Sequence, residues 1–167
     1  MTPARRIRSV EAADTGAVLT VMQAARGIMR SSGNLHQWGD GYPSSAVIDR
    51  DRGLGGGFVI EDDGLVTGYF AFLPSPEPTY SYIEGGSWLD DSLPYHVIHR
   101  IASFPDAHGV FRDMLAWCAG LESNIRIDTH RDNRIMQHLL EKHGFTYCGV
   151  IYLASGDERL AYQRIII

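Results

Sequence analysis

Helical and extended patterns alternate along the second half of the chain. Apolar residues recur at helical spacing after Gly109, between two short apolar runs at 95–102 and 125–129 that are typical of buried strands. A second amphipathic segment follows, with Asp132 or Asn133 as its helix cap. This succession of strand, helix and strand indicates a crossover connection and predicts a mixed α/β (α+β) fold.

The rest of the chain supplies the other elements. Residues 17–29 predict a first amphipathic helix, preceded by a short strand at 7–10. The remaining predicted elements are a structured loop at 31–43, a weak helix at 44–52, a hairpin of strands at 57–61 and 66–73, a resumed strand at 79–83, and closing strands at 145–153 and 159–165. No repeat, low-complexity tract or linker interrupts them, so we expect one domain over residues 1–167.

Charge and cysteine usage limit the class of protein. With 15 Lys and Arg against 20 Asp and Glu, the formal net charge is −5, which gives no general attraction for nucleic acid or anionic lipid. No stretch reaches the ~18 apolar residues of a membrane span, and the N-terminus does not resemble a signal peptide. Cys118 and Cys148 lie in apolar surroundings without CxxC spacing, and the histidines show no metal motif. We expect a cytoplasmic protein without a metal.

The loop before Gly109 is a candidate anion site. A helix N-terminus offers unpaired backbone N–H groups and the positive end of a dipole, and His108 and Arg112 add possible donors. An ordinary surface turn is the alternative interpretation. The glycine-rich run at 53–57 is interpreted as a flexible loop, because its glycines precede a strand, whereas a phosphate cradle opens a helix.

Further along, a strand ends in an acidic residue and is followed by a helix that starts at an asparagine and ends at Gly-Phe. The residues are Ile125-Arg126-Ile127-Asp128-Thr129-His130-Arg131-Asp132-Asn133 and then His143-Gly144-Phe145. This order resembles the second signature of the GCN5-related N-acetyltransferase (GNAT) superfamily, and the resemblance covers nearly the whole chain. It implies the GNAT acyl-CoA N-acyltransferase fold, in which a mixed, mostly antiparallel central sheet is splayed at its centre and flanked by helices.

The resemblance implies an N-acetyltransferase that moves an acetyl group directly from acetyl-CoA to a primary amine of a small molecule or peptide. No metal is implied, and homodimers are frequent in the superfamily. The strand that ends at Ser103 would offer backbone N–H groups to the thioester oxygen. The residues implied to bind acetyl-CoA are Ile101, Ala102, Ser103, His108, Gly109, Val110, Arg112 and Asn133.

Acetyl transfer needs an amine that has lost its proton, because only the neutral nitrogen attacks the thioester carbonyl. By the resemblance, Asp128 and His130 lie where the thioester binds, and His130 could accept the proton directly or through water. Each also has a plainer interpretation, since His130 could cap the following helix and Asp128 could fix its turn.

The proton donor for the leaving thiolate has to differ from that of many superfamily members. Leu140 stands where those members place a tyrosine. Tyr147 is the predicted replacement, and Cys148, Tyr152 and water are the alternatives.

The predicted acceptor site lies around the loop after the first helix. Trp38 and Tyr42 are large aromatics in a glycine-rich segment, which suits the wall of a pocket, although Trp38 could instead plug the sheet edge. Glu84 could attract a cationic amine or could be an exposed loop carboxylate.

Two positions depart from the superfamily's pyrophosphate-binding signature. Asp106 stands at the usual Gln or Arg position, where a negative charge opposes pyrophosphate binding. Phe111 stands at the usual second small residue, where its side chain could obstruct close approach of the backbone. The alternative function is therefore a non-catalytic GNAT-fold protein that binds a ligand or a partner.

Overall fold

The computed structural model describes residues 4–166. Its strands are β1 (Arg5–Ser9), β2 (Gly57–Asp62), β3 (Leu65–Pro74), β4 (His96–Ser103), β5 (Asn124–Thr129), β6 (Thr146–Tyr152) and β7 (Glu158–Ile165). Its α-helices are α1 (Thr15–Ser31), α2 (Ser45–Gly53), α3 (Val110–Ala119) and α4 (Arg134–Lys142), and short 3-10 helices cover Ala12–Asp14 and Pro78–Tyr80.

One seven-stranded sheet runs through the molecule in the order β1-β2-β3-β4-β5-β7-β6. Neighbouring strands are antiparallel except β4 and β5, which are parallel and are connected through α3. This arrangement confirms the predicted crossover and the mixed, mostly antiparallel sheet.

The centre of the sheet is splayed between β4 and β5. The two strands pair only at His96–Ile125 and Val97–Arg126, although β4 continues to Ser103 and β5 to Thr129. Arg100 has a positive φ of 55°, and the β3–β4 register shifts opposite it, so β4 carries a bulge where the two strands separate. Among residues 4–166, no strand pairs with the edge of β4 that faces β5 beyond this bulge.

Hydrophobic side chains pack on both faces of the sheet, because successive strand residues point to opposite faces. On one face, here called the α3/α4 face, Met114 and Leu140 belong to a continuous cluster. On the other, here called the α1 face, α1 and α2 cover Tyr69, and the connection between β3 and β4 packs Tyr80 and Trp88 over the remaining strands. The central splay therefore has two helices on its α3/α4 face, and two helices together with the β3–β4 connection on its α1 face.

The two cysteines are buried and free. Burial raises the pKa of the Cys118 thiol to about 12 and also raises the pKa of Cys148. Neither thiol is therefore ionised near neutral pH, and both serve as packing residues.

The strand predicted at 79–83 is wrong. Pro78 to Tyr80 instead form a 3-10 helix, in which the Glu77 carboxylate accepts the Thr79 backbone N–H and the Tyr80 ring turns into the core. The prolines in this connection remove backbone donors that a ladder would need. Only Glu84 pairs here, in a single bridge with Val150 of β6.

Candidate active site

A cleft opens at the mouth of the splay and is here called the central cleft. The end of β4, the first turn of α3, the first turns of α4 and the last turns of α1 line it. It brings together five of the residues predicted to bind acetyl-CoA, which are Ile101, Ala102, Ser103, Val110 and Asn133. The other three, His108, Gly109 and Arg112, lie at the start of α3 beside the cleft but do not line it.

The N-terminus of α3 has no side-chain cap. Gly109 occupies the N-cap position with a φ of 71°, a left-handed conformation that favours glycine. The Arg112 side chain is 70% exposed and lies over Gly109, since a Cβ built there would be 2.8 Å from Nη2. His108 is exposed, and its carbonyl oxygen accepts a hydrogen bond from Arg5 at 2.8 Å. This end of the helix is open to an anion.

Phe111, in the first turn of α3, is buried and also lines the central cleft. Its ring is buried in the cluster on the α3/α4 face and contacts the His143 ring, with 5.2 Å between the centroids. The side chain therefore points into the core, as an apolar residue in the first turn of an amphipathic helix does. Asp106 is exposed in the preceding loop.

The N-terminus of α4 is fastened to the loop between α1 and α2. Asn133 caps the helix, because its Oδ1 accepts the Met136 backbone N–H at 3.1 Å, and its Nδ2 donates to Gln37 Oε1 at 3.0 Å. Asn34 Nδ2 donates to the same oxygen at 2.9 Å. Asn34 is only 3% exposed and lines the central cleft, and its Oδ1 has no hydrogen-bond partner within the described residues.

Asp128 lies on the α1 face of the splay in a chain of polar side chains. The Tyr80 hydroxyl donates to its carboxylate at 2.6 Å, and His99 Nδ1 lies 3.9 Å from the same oxygen. His99 Nε2 is in turn 3.6 Å from the Glu77 carboxylate. The neighbouring imidazole is the main cause that lowers the pKa of Glu77 to about 2, whereas burial raises the pKa of Tyr80.

A second cavity, here called the polar pocket, lies beyond the end of β5. It is lined by His36, His130, Arg131, Asp157, Glu158 and Arg159. His130 Nδ1 accepts the backbone N–H of Asp132 at 3.0 Å, so the neutral ring carries its proton on Nε2. Burial, followed by the Arg159 guanidinium, lowers the pKa of His130. Toward the pocket, His130 is therefore a hydrogen-bond donor at neutral pH.

Besides Asp128 and the three residues at the start of α3, four more predicted site residues line neither cavity. Trp38 is 6% exposed and packs in the core under α1, while Tyr42 is exposed, and its hydroxyl accepts a 3.4 Å contact from Arg100. Glu84 is bridged to the β6 edge and accepts the Tyr152 hydroxyl. Tyr147 pairs with Tyr162 on the α3/α4 face, opposite to Asp128. The fold therefore does not bring Trp38, Glu84 or Tyr147 into the lining of either cavity.

Sequence reasoning missed Gln37, His99, Tyr80, Glu77 and Arg159. Each contacts its partner across a long stretch of chain, as the 96 residues between Gln37 and Asn133 illustrate. No local pattern indicates such pairs, because a lone polar residue in a loop or strand has the same appearance whether or not it meets a partner.

Metal binding and membrane insertion have simple structural requirements. Within residues 4–166, no group of three or more His, Cys, Asp or Glu side chains is placed to hold a metal ion. None of the helices in the described part of the chain is long and apolar enough to cross a membrane.

Comparison with solved structures shows what this architecture is similar to. A GNAT-family acetyltransferase from Streptococcus agalactiae is 31% identical, with a TM-score of 0.89 and coverage of 100% of this chain and 98% of that chain. GNAT-family acetyltransferases from Listeria monocytogenes (16% identity, TM-score 0.71, 99% of each chain) and Bacillus cereus (13%, 0.65, 98% of this chain and 99% of that chain) share the fold. No family model and no curated protein matches the chain.

Proposed function

The chain belongs to the GNAT family of acetyltransferases, and from that membership we propose that it transfers the acetyl group of acetyl-CoA directly to a primary amine of a small molecule or peptide. The observation that carries the proposal is the splay of β4 from β5, with a cleft at its mouth between two helix N-termini. These two features support a thioester site at the splay and an anion site at the start of α3, beside the central cleft.

The residues of the central cleft fit acetyl-CoA. The unpaired edge of β4 around Ile101 to Ser103 offers backbone groups to an amide-containing chain, and the buried Asn34 Oδ1 offers an acceptor. The open N-terminus of α3, with Arg112 over Gly109, would hold the pyrophosphate. When bound, acetyl-CoA supplies an activated acetyl group as a thioester.

On the α1 face, Asp128 is the base that the proposal favours. It is ionisable, lies at the splay and is held by Tyr80, and the His99 imidazole beside it connects it to Glu77. Asp128 would take the proton from the amine directly or through water, and His99 would help to return it to solvent. His130 would donate a hydrogen bond from Nε2 instead, because its Nδ1 lone pair is engaged.

Water is the proposed proton donor to the leaving thiolate. Leu140 is fully buried in the core, and the residues that line the central cleft include no tyrosine or cysteine. Backbone N–H groups of β4 near Ser103 would polarise the thioester oxygen while the tetrahedral intermediate forms.

Titration calorimetry of acetyl-CoA into the purified protein, followed by thiol release with a panel of amines, tests the proposal. We expect micromolar binding, weakened ~10-fold by Arg112→Glu, because a carboxylate over the helix N-terminus repels the pyrophosphate. The matched control is Arg50→Glu on α2, a charge reversal at an exposed arginine, which should keep the affinity within ~2-fold. An absence of binding at millimolar acetyl-CoA would overturn the proposal.

A further inference from the structure

One buried charge in the polar pocket lacks a counter-charge. Arg159 is 6% exposed, and no carboxylate of the described residues lies within 4 Å of its guanidinium. Its hydrogen bonds go only to two backbone carbonyl oxygens, that of Glu158 at 2.9 Å and that of Gln37 at 3.2 Å. A guanidinium carries five N–H donors and its full charge at any physiological pH, so burial without an anion is costly.

The other charges of the pocket do not neutralise it. Arg131 and Glu158 pair with each other, and both are more exposed than Arg159. Asp157 is exposed, and its carboxylate accepts the Ser155 hydroxyl at 3.1 Å. Exposed charges are screened by water and salt, whereas a buried charge is not. The field inside the pocket is therefore set mainly by Arg159.

The surroundings of His130 agree with this positive field. Its Nε2–H is left to donate into the pocket, because Nδ1 accepts a backbone N–H. After burial, the Arg159 guanidinium is the largest cause that lowers the pKa of His130. The pocket therefore presents a permanent cation and a neutral donor, which together suit a carboxylate.

The polar pocket also lies close to the proposed base. Asp128 is paired with Ala161 in the β5–β7 ladder, so Arg159 is its diagonal neighbour on the same face of the sheet. Such neighbours are about 7–8 Å apart at Cα. An α-amino acid, with one hydrogen bond of about 3 Å at its amine and another at its carboxylate, spans a separation of this size.

We propose that the acceptor is a free amino acid, whose carboxylate is bound by Arg159 with help from His130 while its amine faces Asp128. This inference rests on the acetyl transfer proposed above. Arg159 is a binding residue that selects the acceptor, and Arg131, already paired with Glu158, contributes little.

The test compares the twenty L-amino acids with their C-terminal amides, in binding to the CoA-loaded protein by calorimetry and in acetylation by thiol release. For any amino acid that responds, we expect a kcat/KM at least ~10-fold above that of its amide, since hydrogen bonds to a charged group contribute about 1.5–3 kcal/mol. The amide has the more easily deprotonated amine, so chemistry alone would favour the amide.

Two variants test whether Arg159 causes the preference for the free amino acid over its amide. Arg159→Gln should reduce the acid-to-amide ratio to 1 or below while amide acetylation persists, which also shows that the variant is folded. Arg131→Gln should leave the ratio within ~2-fold of the parent value.

The possible outcomes distinguish a failure of the inferred carboxylate site from a failure of the proposed acetyl transfer. Binding of an amino acid, with no acetylation of it or of any amine in the panel, would support the carboxylate site and overturn acetyl transfer. Binding without acetylation while other amines are acetylated would overturn the amino acid as the acceptor. Equal use of acids and amides, or a ratio that Arg159→Gln leaves unchanged, would overturn the carboxylate site and keep acetyl transfer. Failure of all twenty amino acids to bind would overturn the inference whatever amines are acetylated.

Discussion

The Tyr80 hydroxyl donates a 2.6 Å hydrogen bond to the Asp128 carboxylate on the α1 face of the splay. A hydrogen bond of this kind stabilises the ionised form of the acceptor, which is the form that can take a proton from an amine. Tyr80 itself is fully buried, and burial raises the pKa of its hydroxyl. It therefore stays protonated and remains a donor across the working range of pH.

Tyr80→Phe should lower kcat/KM with a good acceptor by about 10-fold or more, because it removes the hydrogen bond that holds the Asp128 carboxylate, and a hydrogen bond to a charged group contributes about 1.5–3 kcal/mol. Thiol-release kinetics measure the loss. Tyr152→Phe is the matched control, since it removes a tyrosine–carboxylate contact with Glu84 at the sheet edge. Equal losses in the two variants would count against Asp128 as the base.

Substitutions at Asn133 should separate its two hydrogen bonds. Asn133→Ser keeps a cap for α4 but loses the contact with Gln37, whereas Asn133→Ala loses both. We expect the Ala variant to be less stable than the Ser variant by about 1 kcal/mol in urea unfolding. Both should raise the KM for acetyl-CoA by a similar factor, because both remove the hydrogen bond between α4 and Gln37 of the α1–α2 loop. A Ser variant with the parent KM would show that the Gln37 contact is dispensable.

Phe111→Leu should reduce the free energy of unfolding by about 1 kcal/mol and leave the Kd for acetyl-CoA within ~2-fold, because the ring packs in the core. Phe145→Leu, in the same cluster but outside the central cleft, is the control for stability. If Phe111→Leu alone tightened binding ~10-fold, the ring would have to obstruct the cofactor.

Glu77 should make folding stability depend on acidic pH. Its folded pKa, about 2, lies below the ordinary value of 4.5, so the unfolded chain binds the proton more readily. The resulting stability is present above pH 4.5 and is lost as pH falls toward 2. Urea unfolding at pH 7, 5, 4 and 3 should therefore show the difference between the parent protein and Glu77→Gln shrinking in that window.

The control for this pH dependence is Glu141→Gln, which changes an exposed glutamate on α4. Its difference from the parent should stay nearly constant over the same pH series, since an exposed carboxylate contributes little to stability. A constant difference for Glu77→Gln as well would contradict the ion-pair role of Glu77.

Elements whose signals are local were predicted well from the sequence. The Asp63-Gly64 turn, the Asn133 cap and the crossover through α3 depend on residues that are close along the chain, and the structure confirms all three. Family resemblance and helix position likewise indicate five of the residues that line the central cleft, but not the α1 residues that complete it.

The α1 face of the site could not be predicted in this way. Tyr80 and Asp128 are 48 residues apart, and their contact exists only because the β3–β4 connection folds over the sheet. The sequence around Tyr80 predicts a strand, whereas the structure has a 3-10 helix that turns the Tyr80 ring into the core. The lack of a carboxylate beside Arg159 among the described residues also depends on the folded chain, since no sequence pattern shows which carboxylates come within 4 Å of a given guanidinium.

Gln37 joins the two cavities. Its side-chain oxygen accepts from Asn133 in the wall of the central cleft, and its backbone oxygen accepts from Arg159 in the polar pocket. Under the proposed function, replacing the whole α1–α2 loop to change the acceptor would therefore also disturb the site proposed for acetyl-CoA. Substitutions at His36, which lines the polar pocket, would instead keep Gln37 and both of its contacts.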